Sequence, residues 1–141
     1  YGAVCDNPDY AKINDVDTAI VVMKFENGAL GVIDNSRASH YGYDQRTEVQ
    51  CQKGCVKVEN DLENTSTILS NEGVEAAKPT WFFLERYNDA FIAEAKEFVD
   101  AVLNNTETPV QGVDGLRPVE IALAANKSMK EGRPVKISEI C

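Results

Sequence analysis

Residues 17–35, DTAIVVMKFENGALGVIDN, decide the fold, because they place two apolar runs on either side of a short turn signal. The first run, 17–25, is rich in Ile, Val and Thr, and the second, 30–35, resumes the apolar character. Between them lies Asn27-Gly28, a dipeptide that favours the tight turn of a β-hairpin. The stretch therefore predicts two antiparallel strands.

The pattern that follows also indicates extended chain. Residues 43–51 alternate in polarity, which predicts a strand that begins at Tyr43, and Lys53-Gly54 then turns the chain. A return strand is expected around Val56 and Val58, and a further short strand at 67–69 ends in a turn at 71–73. The first half of the sequence therefore predicts an antiparallel sheet.

The second half changes to a helical period. The apolar residues of the first helix share one stripe and are Leu84, Tyr87, Phe91, Ala95, Phe98, Val99 and Val102. This helix should end near Asn104-Asn105. A second helix should run to about Glu131, with either Asp114 as its N-cap or Pro118 in the first helical position, and Gly132 marks its stop. Val135–Ile137 is predicted as a last short strand.

Strands followed by helices predict an α+β fold, a mostly antiparallel sheet with the helices packed on one face. The length of 141 residues and a hydrophobic content of 43% fit a single domain over 1–141. Apolar residues on the strands, namely Val21, Met23, Val32, Val49 and Val56, offer more surface than two helices can cover. The other face is therefore predicted to pair copies of the chain in a homo-oligomer.

Composition and charge exclude several classes of function. The formal net charge of −9 leaves no basic stripe for a nucleic-acid backbone. No apolar run is long enough for a membrane span, and the first residues have no signal-peptide pattern, so a soluble cytoplasmic protein is expected. No glycine-rich nucleotide fingerprint occurs, so no cofactor-binding residue is predicted in this chain.

The four cysteines are interpreted as free thiols. Cys5, Cys51, Cys55 and Cys141 are too scattered for a disulfide framework. A zinc site would need Cys51 and Cys55 with two further ligands from Cys5, Cys141 and His40. The three-residue spacer and the lack of a second Cys/His pair argue against it, and no metal site is predicted.

The histidine lies within residues 39–46, SHYGYDQR, and it is the only one in the chain. A serine or cysteine nucleophile would need it as a base, and no nucleophile signature stands beside it. No catalytic residue is predicted.

Two interpretations of the tyrosines and charged residues in this stretch remain open. On a strand that begins at Tyr43, Tyr43 faces away from Asp44 and Arg46, so only some of these side chains can line a pocket. A tyrosine suits polyol recognition, because its ring meets C–H groups while its hydroxyl donates and accepts hydrogen bonds. Alternatively, Tyr41 and Tyr43 cover the end of the sheet, and Asp44 and Arg46 form a surface pair beside the loop residue His40.

Longer stretches resemble a known family. They are NGALGVIDNSRASHYGYDQR (27–46), GCVKVEN (54–60), FLERYNDAFIAEAKEFVDAVLN (83–104) and GVDGLRPVEIALAANKSMKEGRPVKI (112–137). Together they resemble the C-terminal domain of the glucose-fructose oxidoreductase and inositol dehydrogenase (Gfo/Idh/MocA) family, whose members are NAD-dependent sugar and polyol dehydrogenases. Within the family, the members that oxidise myo-inositol to a keto form are the most similar.

The resemblance implies substrate-binding roles for Tyr43 and Tyr41, at the rim of a cleft, and supporting roles for Asp44, Gln45 and Arg46. It also implies oligomers paired through their C-terminal sheets. The family's Rossmann domain, catalytic lysine and Asp-x-x-x-His motif are absent. Ser36 stands four residues before His40, where that motif has aspartate, so His40 is not the family's catalytic histidine.

The chain is therefore expected to be part of a longer NAD-dependent oxidoreductase and to be inactive alone. The alternative is a stand-alone, non-catalytic polyol-binding or scaffold domain. The sequence leaves open which polyol or sugar is bound, whether NAD or NADP is preferred, and how many copies assemble.

Overall fold

A computed structural model describes residues 1–140, and Cys141, one of the ligands of the zinc alternative, lies outside the described residues. The strands are β1 (Gly2–Ala3), β2 (Thr18–Lys24), β3 (Leu30–Ser36), β4 (Thr47–Cys51), β5 (Gly54–Val58), β6 (Thr67–Ser70) and β7 (Gly73–Ala76). The α-helices are α1 (Asp9–Lys12), α2 (Phe83–Arg86), α3 (Asn88–Asn104) and α4 (Gly112–Glu131). A 3-10 turn covers Ile137–Glu139. The predicted α+β class is confirmed.

The chain divides into two compact units. The first consists of Tyr1–Ala38 with the described part of Thr108–Cys141, and the second is Ser39–Glu107. In the first unit, β1, β2 and β3 form an antiparallel sheet in that order. Helix α4 lies close to this sheet, since a Cβ added to Gly2 would meet the Met129 sulfur at 2.7 Å.

The hairpin predicted from residues 17–35 is confirmed. Strands β2 and β3 pair in register from Thr18 with Ser36 to Lys24 with Leu30. Gly28 adopts a φ of 86°, which side-chain-bearing residues rarely accept, and Asn27 Oδ1 accepts the Ala29 N–H at 3.0 Å. The Asn-Gly signal therefore sets the register of the sheet.

The two faces of this hairpin differ in exposure. Val21 and Met23 are half-buried on one face. Val32 pairs with Val22 on the opposite face, where each is 66% exposed. Side chains alternate along a strand, and Val32 lies opposite Val22. Val21 and Met23 therefore do not share a face with Val32.

Asp17 anchors the chain that precedes the hairpin. Its side chain is buried, with 3% of the residue exposed, and its oxygens accept the backbone N–H groups of Cys5, Asp6 and Asn7, each at 2.8 Å. The Thr18 hydroxyl donates at 2.9 Å. The N–H groups of Cys5 and Asn7 hold the pKa of the Asp17 carboxyl well below its usual range. This carboxylate therefore fixes the loop between β1 and α1.

In the second unit, two hairpins precede the helices. Strands β4 and β5 pair across Gln52-Lys53, and β6 pairs with β7, a strand that the sequence did not predict. Strand β4 begins at Thr47, so the prediction of a strand from Tyr43 is wrong. The reason is that the Tyr43 N–H bonds to the Thr80 carbonyl at 2.8 Å instead of a ladder partner.

The C-terminal ends of the two long helices agree with the prediction, whereas the start of α4 does not. Helix α3 ends at Asn104, with Asn105 in the left-handed conformation, and Gly132 ends α4. Neither predicted start of α4 is right, because Gln111 is the N-cap and its N–H bonds the Asp114 carboxylate at 2.8 Å. Pro118 consequently lies inside the helix.

Three further local features differ from the sequence reading. Val135–Ile137 is not a strand: in its place the 3-10 turn begins at Ile137. The short helix α1 was not predicted. Tyr87 separates α2 from α3, where one continuous helix was expected.

No helix among residues 1–140 is both long and apolar enough to cross a membrane.

Candidate functional site

The segment Tyr41–Arg46 in the second unit is an irregular loop organised around a carboxylate. Arg46 donates to Asp44 through Nε to Oδ1 at 2.8 Å and through Nη2 to Oδ2 at 2.9 Å. The Tyr41 hydroxyl donates to Oδ2, and Asn60 Nδ2 donates to Oδ1 at 2.6 Å. We call Tyr41, Asp44, Arg46 and Asn60 the Asp44 cluster.

The charge of this cluster is fixed. The Arg46 guanidinium, with the hydrogen bonds from Tyr41 and Asn60, lowers the pKa of Asp44 to about 2. Asp44 is therefore ionised at neutral pH and is unsuited to proton transfer there. Its role is to accept the hydrogen bonds that hold the loop. The predicted Asp44–Arg46 pairing is present, but only the Arg46 side chain is on the surface, at 61% exposed against 14% for Asp44.

Backbone contacts hold the loop at two further points. The Gln45 N–H donates to Asn60 Oδ1 at 2.8 Å, while Gln45 itself is exposed. Gly42 has a φ of 144°, and a Cβ there would lie 2.6 Å from the Pro79 carbonyl oxygen. Only glycine fits this approach without strain, which explains the Tyr-Gly-Tyr order.

Tyr43 belongs to a group of aromatic rings. Its ring meets the Tyr87 ring edge-on, with centroids 5.7 Å apart and planes at 85°, and Tyr87 meets Phe91 in the same manner at 6.3 Å. Burial raises the pKa of the Tyr87 phenol, and a hydrogen bond with Tyr43 raises it further. Tyr43 is half-buried, whereas Tyr41 is 49% exposed. The two predicted tyrosines therefore have different surroundings.

The sequence analysis did not predict two polar residues near the Tyr43–Tyr87 pair, Thr80 and Arg86. Thr80 accepts the Tyr43 N–H, and its own N–H bonds the Asp61 carbonyl at 3.0 Å. Arg86 donates to the Asp61 carboxylate at 3.1 Å, and its guanidinium carbon lies 5.6 Å from the Tyr87 ring centroid. Thr80 Oγ1 and Arg86 Nε are buried, and neither has a hydrogen-bond partner within residues 1–140. Arg86 lies within the Glu-Arg-Tyr-Asn-Asp helix start that carries part of the resemblance, which was the signal available.

His40 and the described cysteines are exposed. His40 is exposed in the loop before Tyr41. Cys5, Cys51 and Cys55 are free thiols on the surface. Across residues 1–140, no three His, Cys, Asp or Glu side chains come together as a metal site would require.

A cleft lies in the first unit, with a volume of about 330 Å³, lined by Val16–Ala19 and Asn35–Arg37. Its carboxylate, Asp17, already accepts four hydrogen bonds from the protein. Arg37 Nε donates to the Tyr10 hydroxyl at 3.3 Å. Because its charged groups serve the fold, the tyrosine site of the second unit is the better candidate.

The α+β fold is that of an oxidoreductase C-terminal domain. Residues 3–137 match the family model described as the oxidoreductase family, C-terminal alpha/beta domain. The chain belongs to this family, the Gfo/Idh/MocA family that its sequence resembles.

Individual relatives agree with this assignment. The chain is 42% identical over 139 residues to myo-inositol 2-dehydrogenase of Thermotoga maritima, across 99% of this chain and 42% of that protein. It is 31% identical over 137 residues to scyllo-inositol 2-dehydrogenase (NAD(+)) of Bacillus subtilis, across 97% of this chain and 40% of that protein. The crystal structure of a probable dehydrogenase from Thermotoga maritima superposes with a TM-score of 0.95 at 42% identity, across 99% of this chain and 42% of that one. The chain thus spans about two fifths of the length of these relatives.

Proposed function

We propose that this chain is the C-terminal substrate-binding part of an NAD-dependent inositol 2-dehydrogenase, which oxidises myo-inositol or a related cyclitol or sugar to a keto form. In this proposal the single domain 1–141 supplies one wall of the substrate cleft and an oligomer interface. The names of the two inositol dehydrogenase relatives support this substrate class.

The pairing of Tyr43 with Tyr87 is the observation that carries the proposal. A half-buried phenol held against a second aromatic ring presents an apolar face to ring C–H groups and a hydroxyl to a polyol oxygen. Tyr43 would be the main contact. Tyr41 would be secondary, because its hydroxyl already donates to Asp44. Asp44, Gln45 and Arg46 would hold the loop in place.

The cofactor would be bound outside this chain. The sequence has no glycine-rich loop that follows a strand and opens a helix, which is the pattern that binds a dinucleotide pyrophosphate. NAD would accept the hydride from the polyol carbon. The residues of this chain would bind and orient the polyol. We further propose that the protein acts in the cytoplasm.

The test is formation of NADH from NAD⁺ and myo-inositol. The complete polypeptide that carries this chain should form NADH, and residues 1–141 alone should form none. Turnover by the isolated chain would overthrow the idea of a partial active site. A native polypeptide that starts near Tyr1 would favour the stand-alone polyol-binding or scaffold domain. Rates across cyclitols, sugars and sugar acids, with NAD⁺ and NADP⁺, would identify the substrates.

We also propose that a second copy covers the open face of the β2–β3 hairpin. Four apolar side chains share this face, and they are 45% to 73% exposed: Ile20, Val22, Leu30 and Val32. Monomers rarely leave such a contiguous apolar surface in water. Light scattering on the complete polypeptide should give a mass above that of one copy. A strict monomer at tens of micromolar would contradict this interface.

A further inference from the structure

Asn60, in the loop after β5, bonds the Tyr41–Arg46 segment at two adjacent residues. Its Nδ2 donates to Asp44 Oδ1 at 2.6 Å, and its Oδ1 accepts the Gln45 N–H at 2.8 Å. The side chain thus uses both ends of its amide. A carboxylate, which only accepts, cannot make both bonds.

The hydrogen bonds within the segment connect residues that are closer in the sequence than Asn60 and its partners. Arg46 and Tyr41 lie two and three residues from Asp44, so their bonds shape the loop locally. Asn60 lies 15 and 16 residues from its two partners in the sequence. Its bonds therefore connect the loop to the segment that follows β5. The Tyr43 N–H, bonded to Thr80, is another tie between residues far apart in the sequence. Tyr43 is thus held between two attachments.

We propose that Asn60 is a positioning residue for the polyol: it fixes the backbone at Asp44 and Gln45 and so sets the location of the Tyr43 hydroxyl. This inference rests on the proposed function. Asn60 does not touch the substrate in this account. Asn60 acts through the loop. Substitution of Asn60 should therefore weaken polyol binding more than it lowers kcat.

The sharpest change is Asn60→Asp, which keeps the size and the acceptor for Gln45. It replaces the donor toward Asp44 with a carboxylate oxygen, and two like charges then face each other at hydrogen-bond distance. The matched control is Asn64→Asp, an exposed position in the same unit. Asn64 Oδ1 accepts the Ser66 N–H at 2.8 Å, a bond that a carboxylate also makes.

The kinetics of the complete polypeptide with NAD⁺ and myo-inositol test the proposal. Asn60→Asp should raise KM for myo-inositol about tenfold, with a smaller change in kcat and no change in KM for NAD⁺. Asn64→Asp should leave all three constants as they are. Equal constants for the two variants would overturn the positioning role. If the unsubstituted polypeptide forms no NADH from any cyclitol, the proposed function fails, and the inference fails with it.

A second variant keeps the test decisive even if Asn60→Asp folds poorly. Asn60→Ala removes both bonds to the loop without adding a charge. KM for myo-inositol should again rise, with a smaller change in kcat and no change in KM for NAD⁺. An Asn60→Ala variant with the same KM for myo-inositol as the unsubstituted protein would contradict the proposal.

Discussion

Two aspartates anchor loops in this chain by different means. Asp17, in the first unit, accepts three backbone N–H groups and the Thr18 hydroxyl. Asp44, in the second unit, accepts hydrogen bonds from the side chains of Tyr41, Arg46 and Asn60. Both carboxyls have lowered pKa values, because the donors favour the ionised form in each case.

The difference concerns which residues matter. Backbone donors are present whatever side chain stands at their positions, so the loop bonds to Asp17 require only the aspartate itself. The bonds to Asp44 require four specific side chains, namely the aspartate and its three donors. A loop built in this second manner fixes where its side chains lie, which suits Tyr43, the residue that we propose contacts the polyol.

The largest expected effect on folding follows Asp17→Ala. The backbone N–H groups of Cys5, Asp6 and Asn7 would lose their acceptor at once, and the loop between β1 and α1 would lose its anchor. The melting temperature of the complete polypeptide should fall by roughly 5 °C or more. The control is Asp15→Ala, which removes one exposed bond to the Val16 N–H. Equal melting temperatures for the two variants would show that Asp17 anchors nothing.

Asp44→Asn should have an intermediate effect that depends on pH. Removing the charge should lower the free energy of unfolding by roughly 1–2 kcal/mol at pH 7. Because the folded pKa is depressed, this contribution is complete well above the ordinary carboxyl value of 3.8 and is lost as pH falls toward about 2.

Urea unfolding of both proteins from pH 7 to pH 2.5 measures this difference. The control is Glu48→Gln, which breaks an exposed pair with Lys57 and should cost little. A difference between Asp44→Asn and the unsubstituted protein that stays constant down to the lowest pH would refute the assigned pKa.

Cys5→Ala should have the smallest effect, although Cys5 contacts Asp17. The contact is made by the Cys5 N–H, which alanine retains, and the thiol is exposed. Differential scanning calorimetry should therefore find the melting temperature unchanged. A fall comparable with that of Asp17→Ala would mean that the Cys5 side chain, and not its backbone, holds the loop.

Local signals in the sequence were enough for much of the fold. Asn27-Gly28 predicted the hairpin and its turn, and Asn105 and Gly132 marked the ends of the two long helices. These predictions needed only backbone preferences of nearby residues. The resemblance to the family, which the matching family model confirms, pointed to the tyrosines of the loop.

The site itself depends on contacts that no local pattern contains. Alternation placed Tyr43 at the start of a strand, but the bond to Thr80, 37 positions further along the chain, removes it from the ladder. Asn60 ends the GCVKVEN stretch that carries part of the resemblance, but an asparagine after a strand is otherwise an ordinary loop residue, so nothing local indicated its two bonds. Helix α4 began earlier than predicted because Asp114 serves as the third helical residue, where its carboxylate accepts the Gln111 N–H.

The central claim is that the Tyr43 hydroxyl contacts the polyol, and Tyr43→Phe in the complete polypeptide tests it most directly. Tyr87→Phe is the control, because either change removes the same tyrosine–tyrosine hydrogen bond while keeping both rings. Tyr43→Phe should raise KM for myo-inositol about tenfold, and Tyr87→Phe should raise it less. If Tyr43→Phe leaves KM and kcat for the preferred polyol untouched, Tyr43 is a structural residue and the claim is contradicted.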